Sequence, residues 1–292
     1  MVIIKTRIIV SAILLPVFFA VLFIFPVIIL TLVISAICAI AAYELINAVK
    51  IENKRVLVYS IIAAALTSFT AIYINYSLLL VITLIFTIFF ILISLLIIEA
   101  VLSLNSKKNA GEETPSSDKK LKFRQIPVAL AAGMLIPIML SSLIFLRSLT
   151  YGHLFVLLPI ISAFMTDSGA YFTGVAIGRK KPFPNISPNK TVEGYVGGVI
   201  TGTLGMLLYG IILSYTTPLN IIFPALIIYG ITGAIVTGVG DLVFSLIKRK
   251  CGIKDYGNLI PGHGGALDRF DSMTFAAPTM FLLVIIIPAI IV

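Results

Sequence analysis

The sequence predicts an all-α integral membrane protein, a polytopic bundle of about nine transmembrane helices. The chain has 292 residues, of which 60% are hydrophobic and only 11% are charged, a composition outside the usual range of soluble domains. Several apolar runs approach or exceed the roughly 20 residues that a helix needs to cross the hydrocarbon core of a bilayer. These runs lack the period-2 alternation of an outer-membrane barrel strand, so the spans are predicted to be helices.

Apolar runs between polar breaks define nine predicted spans. The first run follows Lys5 and Arg7 as a signal peptide would, but its apolar part exceeds the roughly 7–15 residues of a signal-peptide core. We therefore expect the first run to be a retained helix. In chain order the predicted spans are 8–24, 27–48, 56–74, 77–103, 126–147, 152–178, 194–215, 219–247 and 270–291.

The basic residues predict how the spans are oriented, because Lys and Arg near span ends are retained on the cytoplasmic side. They fall at the N-terminus and in alternate connections, and of the 21 basic residues only Arg147 lies on the opposite side. The N-terminus is therefore predicted to be cytoplasmic. Basic loops beside an anionic leaflet explain the net charge of +9, so no nucleic acid partner is expected.

A polar segment at 104–125 divides the predicted bundle. Its richness in Lys, Ser, Glu and Gly is typical of a mobile linker. We expect an N-terminal four-helix transmembrane region at 1–103, a cytoplasmic linker at 104–125, and a C-terminal transmembrane region at 126–292 that carries the candidate catalytic residues. The chain has two cysteines, too few for a disulfide framework or a zinc site by themselves.

Acidic residues inside apolar spans are informative, because placing a charge in a membrane is costly. Glu44 and Glu99 lie near the cytoplasmic ends of their spans and are predicted to be solvated helix ends. Asp167 lies about 16 Å deep at the helical rise of about 1.5 Å per residue, so it requires a partner or a water-filled cavity. Asp241 also lies inside its predicted span.

Asp268 and Asp271 open the last predicted span three residues apart, on one helical face. With Asp167 and Asp241 they share the C-terminal part of the sequence and the cytoplasmic half of the predicted bundle. Clustered carboxylates repel one another unless a cation or a proton neutralises them, and Mg²⁺ prefers oxygen ligands that often include a phosphate. Protonated acids and ion pairs with Lys or Arg are alternatives that the acids alone leave open.

The loop "ISPNKTVEG" favours a site for metal-bound polyphosphate. Ser187 is predicted to be the N-cap of a helix, with Pro188 at the first helical position and Lys190 in the first turn. A lysine at the amide-rich end of a helix does not suit the macrodipole, but it suits phosphate binding.

A second loop, "KDYGNLIPGHGGALDRFD", has the same character. Gly262, Gly264 and Gly265 allow the backbone to approach a ligand and expose amides before the last helix. His263, among these glycines, is either a ligand contact or a loop histidine with local partners. Lysine, arginine, glycines and carboxylates together indicate a metal–polyphosphate site.

Three glycines at four-residue spacing follow the first of these loops. Gly194, Gly198 and Gly202 are predicted to serve close helix packing rather than catalysis.

The segment Ser245–Asp271 resembles the signature of phosphatidate cytidylyltransferases, also called CDP-diacylglycerol synthases. The family pattern is Ser, two residues, Lys-Arg, then Lys-Asp, then Pro-x-His-Gly-Gly, then Asp-Arg and Asp. The upstream segments "DSGAYFTGVAIGRKK", "SPNKTVEG" and "GDLVFSLIKR" also resemble the family, whereas the N-terminal half is similar only in hydropathy. The matching positions in the signature are Ser245, Lys248, Arg249, Lys254, Asp255, Pro261, His263, Gly264, Gly265, Asp268, Arg269 and Asp271.

The resemblance implies that CTP and phosphatidic acid react to give CDP-diacylglycerol and pyrophosphate. It also implies a Mg²⁺ centre, with room for a second, monovalent cation such as K⁺. A homodimer is the family expectation. The charge pattern predicts that the active site faces the cytoplasm, and a bacterial cytoplasmic membrane is the expected location. Departures from the pattern at Asn189, Val192 and Ala266 concern packing or rim positions and leave the polar set intact.

The resemblance also implies a role for each matched side chain. Asp241, Asp268 and Asp271 would bridge the metal. Lys190, Lys248, Arg249 and Arg269 would hold phosphates, with Lys248 and Arg269 acting at the reacting groups. Ser187 and His263 would add hydrogen bonds, Asp167 and Asp255 would position a lysine or a water, and Lys254, Gly264 and Gly265 would complete the substrate site.

Other functions remain as alternatives. A CTP-dependent lipid-alcohol kinase, or a cytidylyltransferase for another anionic lipid, is the nearest. A CDP-alcohol phosphotransferase is disfavoured because the sequence has no Asp-Gly-x-x-Ala-Arg pattern. A cation-coupled transporter that uses Asp167 and Asp241 is disfavoured because the acids cluster in one half instead of pairing across repeated halves.

Overall fold

The computed structural model describes residue 12 and residues 16–108, 121–259 and 264–291 of the chain. It confirms the all-α fold class. Within the described ranges, eight helices are long and apolar enough to cross a membrane. They are Val27–Ala48, Lys54–Asn75, Leu78–Leu102, Phe123–Ser148, Gly152–Ile177, Val192–Thr216, Phe223–Lys250 and Leu267–Ile286.

Each of these eight helices corresponds to one predicted span. The predicted span at 8–24 lies largely outside the described residues, and its described part is helical from 16 to 23. The last predicted span, 270–291, is wrong at its end. The helix stops at Ile286, and residues Ile290–Ile291 form a short strand instead.

The described chain forms two compact units. Unit 1 comprises Met1–Ser148 and Ile253–Arg269, and unit 2 comprises Leu149–Gly252 and Phe270–Val292. The two units are groups of residues that contact one another in the structure. The predicted division of the bundle at 104–125 rests on amino-acid composition instead. The linker and the regions beside it stay a prediction, because residues 109–120 lie outside the described residues.

Unit 1 is built from the N-terminal helices. Asn53 begins the second helix as its N-cap, where its side-chain oxygen accepts the amides of Arg55 and Val56. Arg147, the basic residue outside the cytoplasmic pattern, donates from Nε to the carbonyl of Leu22 over 2.8 Å. The elements are α1 (Val27–Ala48), α2 (Lys54–Phe69) with a 3₁₀ turn (Thr70–Asn75), α3 (Leu78–Lys108), a 3₁₀ turn (Phe123–Gln125), α4 (Ile126–Leu130), a π-helical turn (Ala131–Leu135) and α5 (Ile136–Ser148).

Unit 2 contains three long helices that pack on one another, α7, α8 and α9. Two short strands of this unit pair in antiparallel register, with Asn220 opposite Ile291 and Ile221 opposite Ile290. The elements are α6 (Gly152–Phe155), α7 (Leu157–Ile177), α8 (Val192–Thr216), β1 (Asn220–Ile221), α9 (Phe223–Lys250), α10 (Leu267–Ile286) and β2 (Ile290–Ile291). Residues Leu267–Arg269 of α10 belong to unit 1 and the rest to unit 2.

The packing role predicted for the three spaced glycines is confirmed in unit 2. A Cβ at Gly194 would lie 2.8 Å from the carbonyl oxygen of Ala170, and one at Gly198 would lie 2.9 Å from that of Thr166. A Cβ at Gly202 would lie 2.7 Å from the Thr166 hydroxyl. Because real Cβ atoms do not approach other atoms so closely, α7 and α8 pack at this distance only where α8 has no side chain.

Candidate functional site

In unit 2, the predicted site residues Lys190 and Asp241 contact each other. Lys190 lies in the loop before α8, and Asp241 lies inside α9; the ammonium nitrogen contacts carboxylate oxygen Oδ2. The other oxygen, Oδ1, accepts a hydrogen bond of 3.2 Å from the Ser245 hydroxyl, one turn later on α9. Ser245 is a signature position to which the sequence assigned no role. Its spacing of four residues from Asp241 could have indicated one.

A second acid–base pair lies in the same unit. Lys248 Nζ is 3.8 Å from Asp271 Oδ2, and both side chains are largely buried. Burial of a lysine is costly without a nearby anion, so this pairing stabilises both charges in the protein interior. Lys248 and Asp271, both predicted site residues, are therefore neighbours in unit 2.

Asp167 is a further acidic residue of unit 2. Its side chain is exposed on α7, and it lies within electrostatic range of Lys190, Asp241 and Asp271. The charge of Lys190 attracts Asp167 and the two carboxylates repel it, so the partner or water-filled cavity expected for Asp167 stays a prediction. The same lysine lies 5.5 Å from the ring centroid of Tyr195, an aromatic contact that the sequence reading missed.

The N-cap predicted at Ser187 is wrong. Helix α8 begins at Val192, and its N-cap is Thr191, whose hydroxyl accepts the amide of Gly194 over 3.1 Å. Ser187 instead begins a turn, in which its carbonyl accepts the amide of Lys190 over 3.2 Å. A proline at the second position of that turn favours this conformation, so Lys190 precedes the helix rather than lying in its first turn.

In unit 1, the Asp268 carboxylate organises the turn that precedes α10. Its Oδ2 accepts the amide of Tyr256 over 2.7 Å and the amide of Gly265 over 3.0 Å. Gly264 has a φ of 84°, and a Cβ there would lie 3.1 Å from Asp268 Oδ2. The glycine is thus required both by its left-handed backbone and by the approach of the carboxylate.

The prediction that Glu44 is a solvated helix end is wrong. Its side chain is buried, with a residue exposure of 4%. Its Oε1 accepts the amide of Ala266 over 3.0 Å and its Oε2 accepts the amide of Leu267 over 2.8 Å. The amides at the start of a helix have no partner within the helix, so a carboxylate there is strongly favoured.

The same prediction for Glu99 is also wrong, for a different reason. Glu99 is 6% exposed and accepts hydrogen bonds from Asn53 Nδ2 at 3.2 Å and Arg55 Nη1 at 3.3 Å. These contacts tie α3 to the start of α2 within unit 1. The side chains of Asn53 and Arg55 therefore take the place of water around the Glu99 carboxylate.

The remaining predicted site residues are more exposed. Arg249 donates from Nε to the carbonyl of Ile186 over 3.2 Å, which holds the Lys190 loop near the end of α9. Lys254, Asp255 and Arg269 are exposed in unit 1. His263 lies outside the described residues, as do Pro261 and Gly262.

The donor chemistry of the acids suits Mg²⁺, because carboxylate oxygens are hard ligands. In the described part of the chain, however, no group of three or more His, Cys, Asp or Glu side chains is placed to hold a metal ion. Asp241 and Asp271 are paired with lysines instead. The described arrangement pairs these two carboxylates with lysines, and the Mg²⁺ centre stays a prediction.

The eight candidate spans of the described residues, with the ion pair Lys248–Asp271 inside them and Lys190–Asp241 at the end of one, define an integral membrane protein with a polar site in its helical part. A sequence profile described as the cytidylyltransferase family matches residues 5–287. The chain belongs to this family.

Individual relatives match a shorter segment. A phosphatidate cytidylyltransferase of Bacillus subtilis is 38% identical over 133 residues, 46% of this chain and 48% of the relative. One of Staphylococcus saprophyticus is 42% identical over 134 residues, 46% of this chain and 50% of the relative. The uncharacterized protein YnbB of Escherichia coli is 44% identical over 130 residues, 44% of this chain and 42% of the relative. The chain thus spans about half the length of the curated relatives it matches.

Proposed function

We propose that the chain is a phosphatidate cytidylyltransferase, which transfers CMP from CTP to phosphatidic acid and releases pyrophosphate. Family membership and the names of two of the relatives above support this activity. The observation that carries it is the contact between Lys190 and Asp241. It brings together a predicted phosphate ligand and a predicted metal ligand from separate segments of the chain.

In the proposed reaction, a phosphate oxygen of phosphatidic acid attacks the α-phosphorus of CTP. The new P–O bond forms as the bond between the α-phosphorus and the bridging oxygen breaks, and pyrophosphate leaves with that oxygen. No covalent intermediate with the protein is needed. Positioning and neutralisation of phosphate charge lower the barrier.

Lysines and arginines would hold the phosphates in this reaction. Lys190 and Lys248 already lie beside carboxylates, so their ammonium groups are kept in place before a substrate binds. Arg249 and Arg269 are exposed and would reach phosphates from the surface. Each of these cations offers donors that suit phosphate oxygens.

Mg²⁺ is part of the proposal. The resemblance assigns Asp241, Asp268 and Asp271 to the metal, and Mg²⁺ at Asp241 and Asp271 would leave Lys190 and Lys248 to bind phosphates. When bound, the metal would neutralise charge on the triphosphate. A second, monovalent cation such as K⁺ belongs to the same proposal.

The proposed setting follows from the charge pattern and the relatives. Basic connections on one side favour a cytoplasmic active site, where CTP is available, and phosphatidic acid would enter from the bilayer. We also propose a bacterial cytoplasmic membrane and a homodimer.

The test is product formation by the purified, detergent-solubilised protein. CTP, phosphatidic acid and Mg²⁺ are supplied together and then omitted one at a time, and CDP-lipid and pyrophosphate are both measured. Dependence on all three supports the proposal. A phosphorylated lipid alcohol without a CDP-lipid would indicate a kinase, and absence of product with the protein folded would contradict an enzymatic role.

A matched pair of variants links the activity to the site. Lys190→Ala should weaken the binding of CTP or phosphatidic acid, whereas Lys181→Ala in the same loop should leave binding unchanged. Lys181 is exposed and makes no ion pair within the described part of the chain. Equal effects of the two substitutions would remove Lys190 from the site.

A further inference from the structure

We propose that Glu44 is a positioning residue that holds the turn from Gly264 to Asp268, and with it the Asp268 carboxylate, in place for the reaction. The inference rests on the proposed function, because it concerns a residue that the proposal assigns to the metal. Glu44 lies on α1, 222 residues before Ala266 in sequence. No motif connects it to the turn.

The first argument is the pattern of hydrogen bonds on the turn. Successive amides are divided between two carboxylates: Gly265 donates to Asp268, and Ala266 and Leu267 donate to Glu44. Both oxygens of Glu44 are used, one for each amide. The conformation of the turn that places Asp268 therefore depends on an acceptor from α1.

The second argument is the close fit of the backbone around Glu44. A Cβ at Gly257 would lie 2.5 Å from Glu44 Oε1, and a Cβ at Gly265 would lie 2.5 Å from both carboxylate oxygens. Two glycines thus leave space that the carboxylate occupies. Gly265, interpreted from the sequence as allowing a ligand to approach, here allows Glu44 to approach.

The third argument is chemical. Glutamine is nearly isosteric with glutamate, but its amide nitrogen is a donor and cannot accept an N–H. Glu44→Gln would therefore place a donor against one of the two backbone donors of Ala266 and Leu267. The turn would lose one acceptor and the negative charge at the start of α10 without a change in side-chain volume.

The experiment compares Glu44→Gln and Glu44→Asp with a matched control, Glu99→Gln. Glu99 is an equally buried glutamate in unit 1, but its partners are Asn53 and Arg55. For each protein we would measure kcat for CDP-lipid formation and the Mg²⁺ concentration for half-maximal rate. Hydrogen–deuterium exchange of peptides that cover the turn would be measured without substrates.

Glu44→Gln is expected to lower kcat or raise the required Mg²⁺ concentration about 10–100-fold, as substitutions behind metal ligands do. Exchange in the turn should be faster than in the wild type. Glu44→Asp, which keeps the charge and both oxygens, should recover part of the loss. Glu99→Gln should keep the wild-type Mg²⁺ requirement and the wild-type rate of hydrogen–deuterium exchange in the turn, even if it lowers the free energy of unfolding.

The outcomes separate the two proposals. If the wild type makes CDP-lipid and Glu44→Gln matches it in kcat and Mg²⁺ requirement, the positioning role is overturned, even where exchange in the turn is faster. If Glu99→Gln reproduces the Glu44→Gln profile, the effect is general destabilisation and the role is overturned. If the wild type makes no product, the proposed function fails, and unchanged exchange in Glu44→Gln would overturn the positioning role as well.

Discussion

The contact between Lys190 and Asp241 predicts a measurable coupling energy in unit 2. Two unit charges about 4 Å apart attract by about 4 kcal/mol at an effective dielectric constant of about 20. Both side chains are about one-quarter exposed, at 24% and 26%, so solvent screens part of this attraction. The conformational entropy lost when the lysine side chain is ordered offsets a further part of the attraction. We therefore expect a net coupling of about 1 kcal/mol.

The assay is a double-mutant cycle of Lys190→Ala, Asp241→Asn and the double variant. The free energy of unfolding is measured for each detergent-solubilised protein, without substrate, by titration with a denaturing detergent. The double variant should be about 1 kcal/mol more stable than the sum of the single effects predicts. The reason is that the second substitution removes a charge that has already lost its partner.

The control cycle combines Asp241→Asn with Lys181→Ala. Lys181 is exposed in the same loop, so these two effects should add within about 0.3–0.5 kcal/mol. The reasoning would be refuted if Lys190 and Asp241 were also additive within that margin. It would equally be refuted if Lys181 coupled to Asp241 as strongly as Lys190 does.

Three further predictions concern chemistry and packing. Asp268→Asn keeps an oxygen that can accept amides but loses the charge, so CDP-lipid turnover should be abolished while unfolding is little changed; wild-type turnover would exclude a metal-ligand role. Gly198→Ala should lower the free energy of unfolding by about 1–3 kcal/mol, because its Cβ would meet the Thr166 carbonyl at 2.9 Å. A Cβ at Gly174 would lie 3.1 Å from its nearest neighbour, a hydroxyl, so Gly174→Ala should lower the free energy of unfolding by less than Gly198→Ala does. Equal losses would contradict the packing argument. Removal of Mg²⁺ with a chelator should stop CDP-lipid formation and its return should restore the rate, whereas full activity in the chelator would remove the metal from the proposal.

One site contact was within reach of sequence reasoning, whereas one helix start was not. Asp241 and Ser245 are four residues apart on one helix, so their hydrogen bond follows from helical geometry once the helix is known. The helix start was misplaced because Ser187 and Thr191 are both good N-cap residues. A proline-containing turn after Ser187 decided between them.

Other contacts had no local signal. Glu44 and Glu99 have similar sequence settings, near the ends of apolar runs, and a solvated helix end was expected for both. One binds the amides of Ala266 and Leu267, whereas the other binds side chains at the start of α2. Burying a carboxylate without a partner costs free energy, so each of these glutamates requires one. Which group serves as that partner depends on which segments of the chain fold together.

The sequence by itself determined the all-α class and the positions of the eight described spans, because the length and hydropathy of a run are local properties of the chain. It also marked the polar residues that belong to the family signature. Only the tertiary structure decided which carboxylate meets a lysine and which meets backbone amides. Those pairings depend on contacts between distant segments, and hydrogen bonds and ion pairs require approach to about 3–4 Å, which no local pattern specifies.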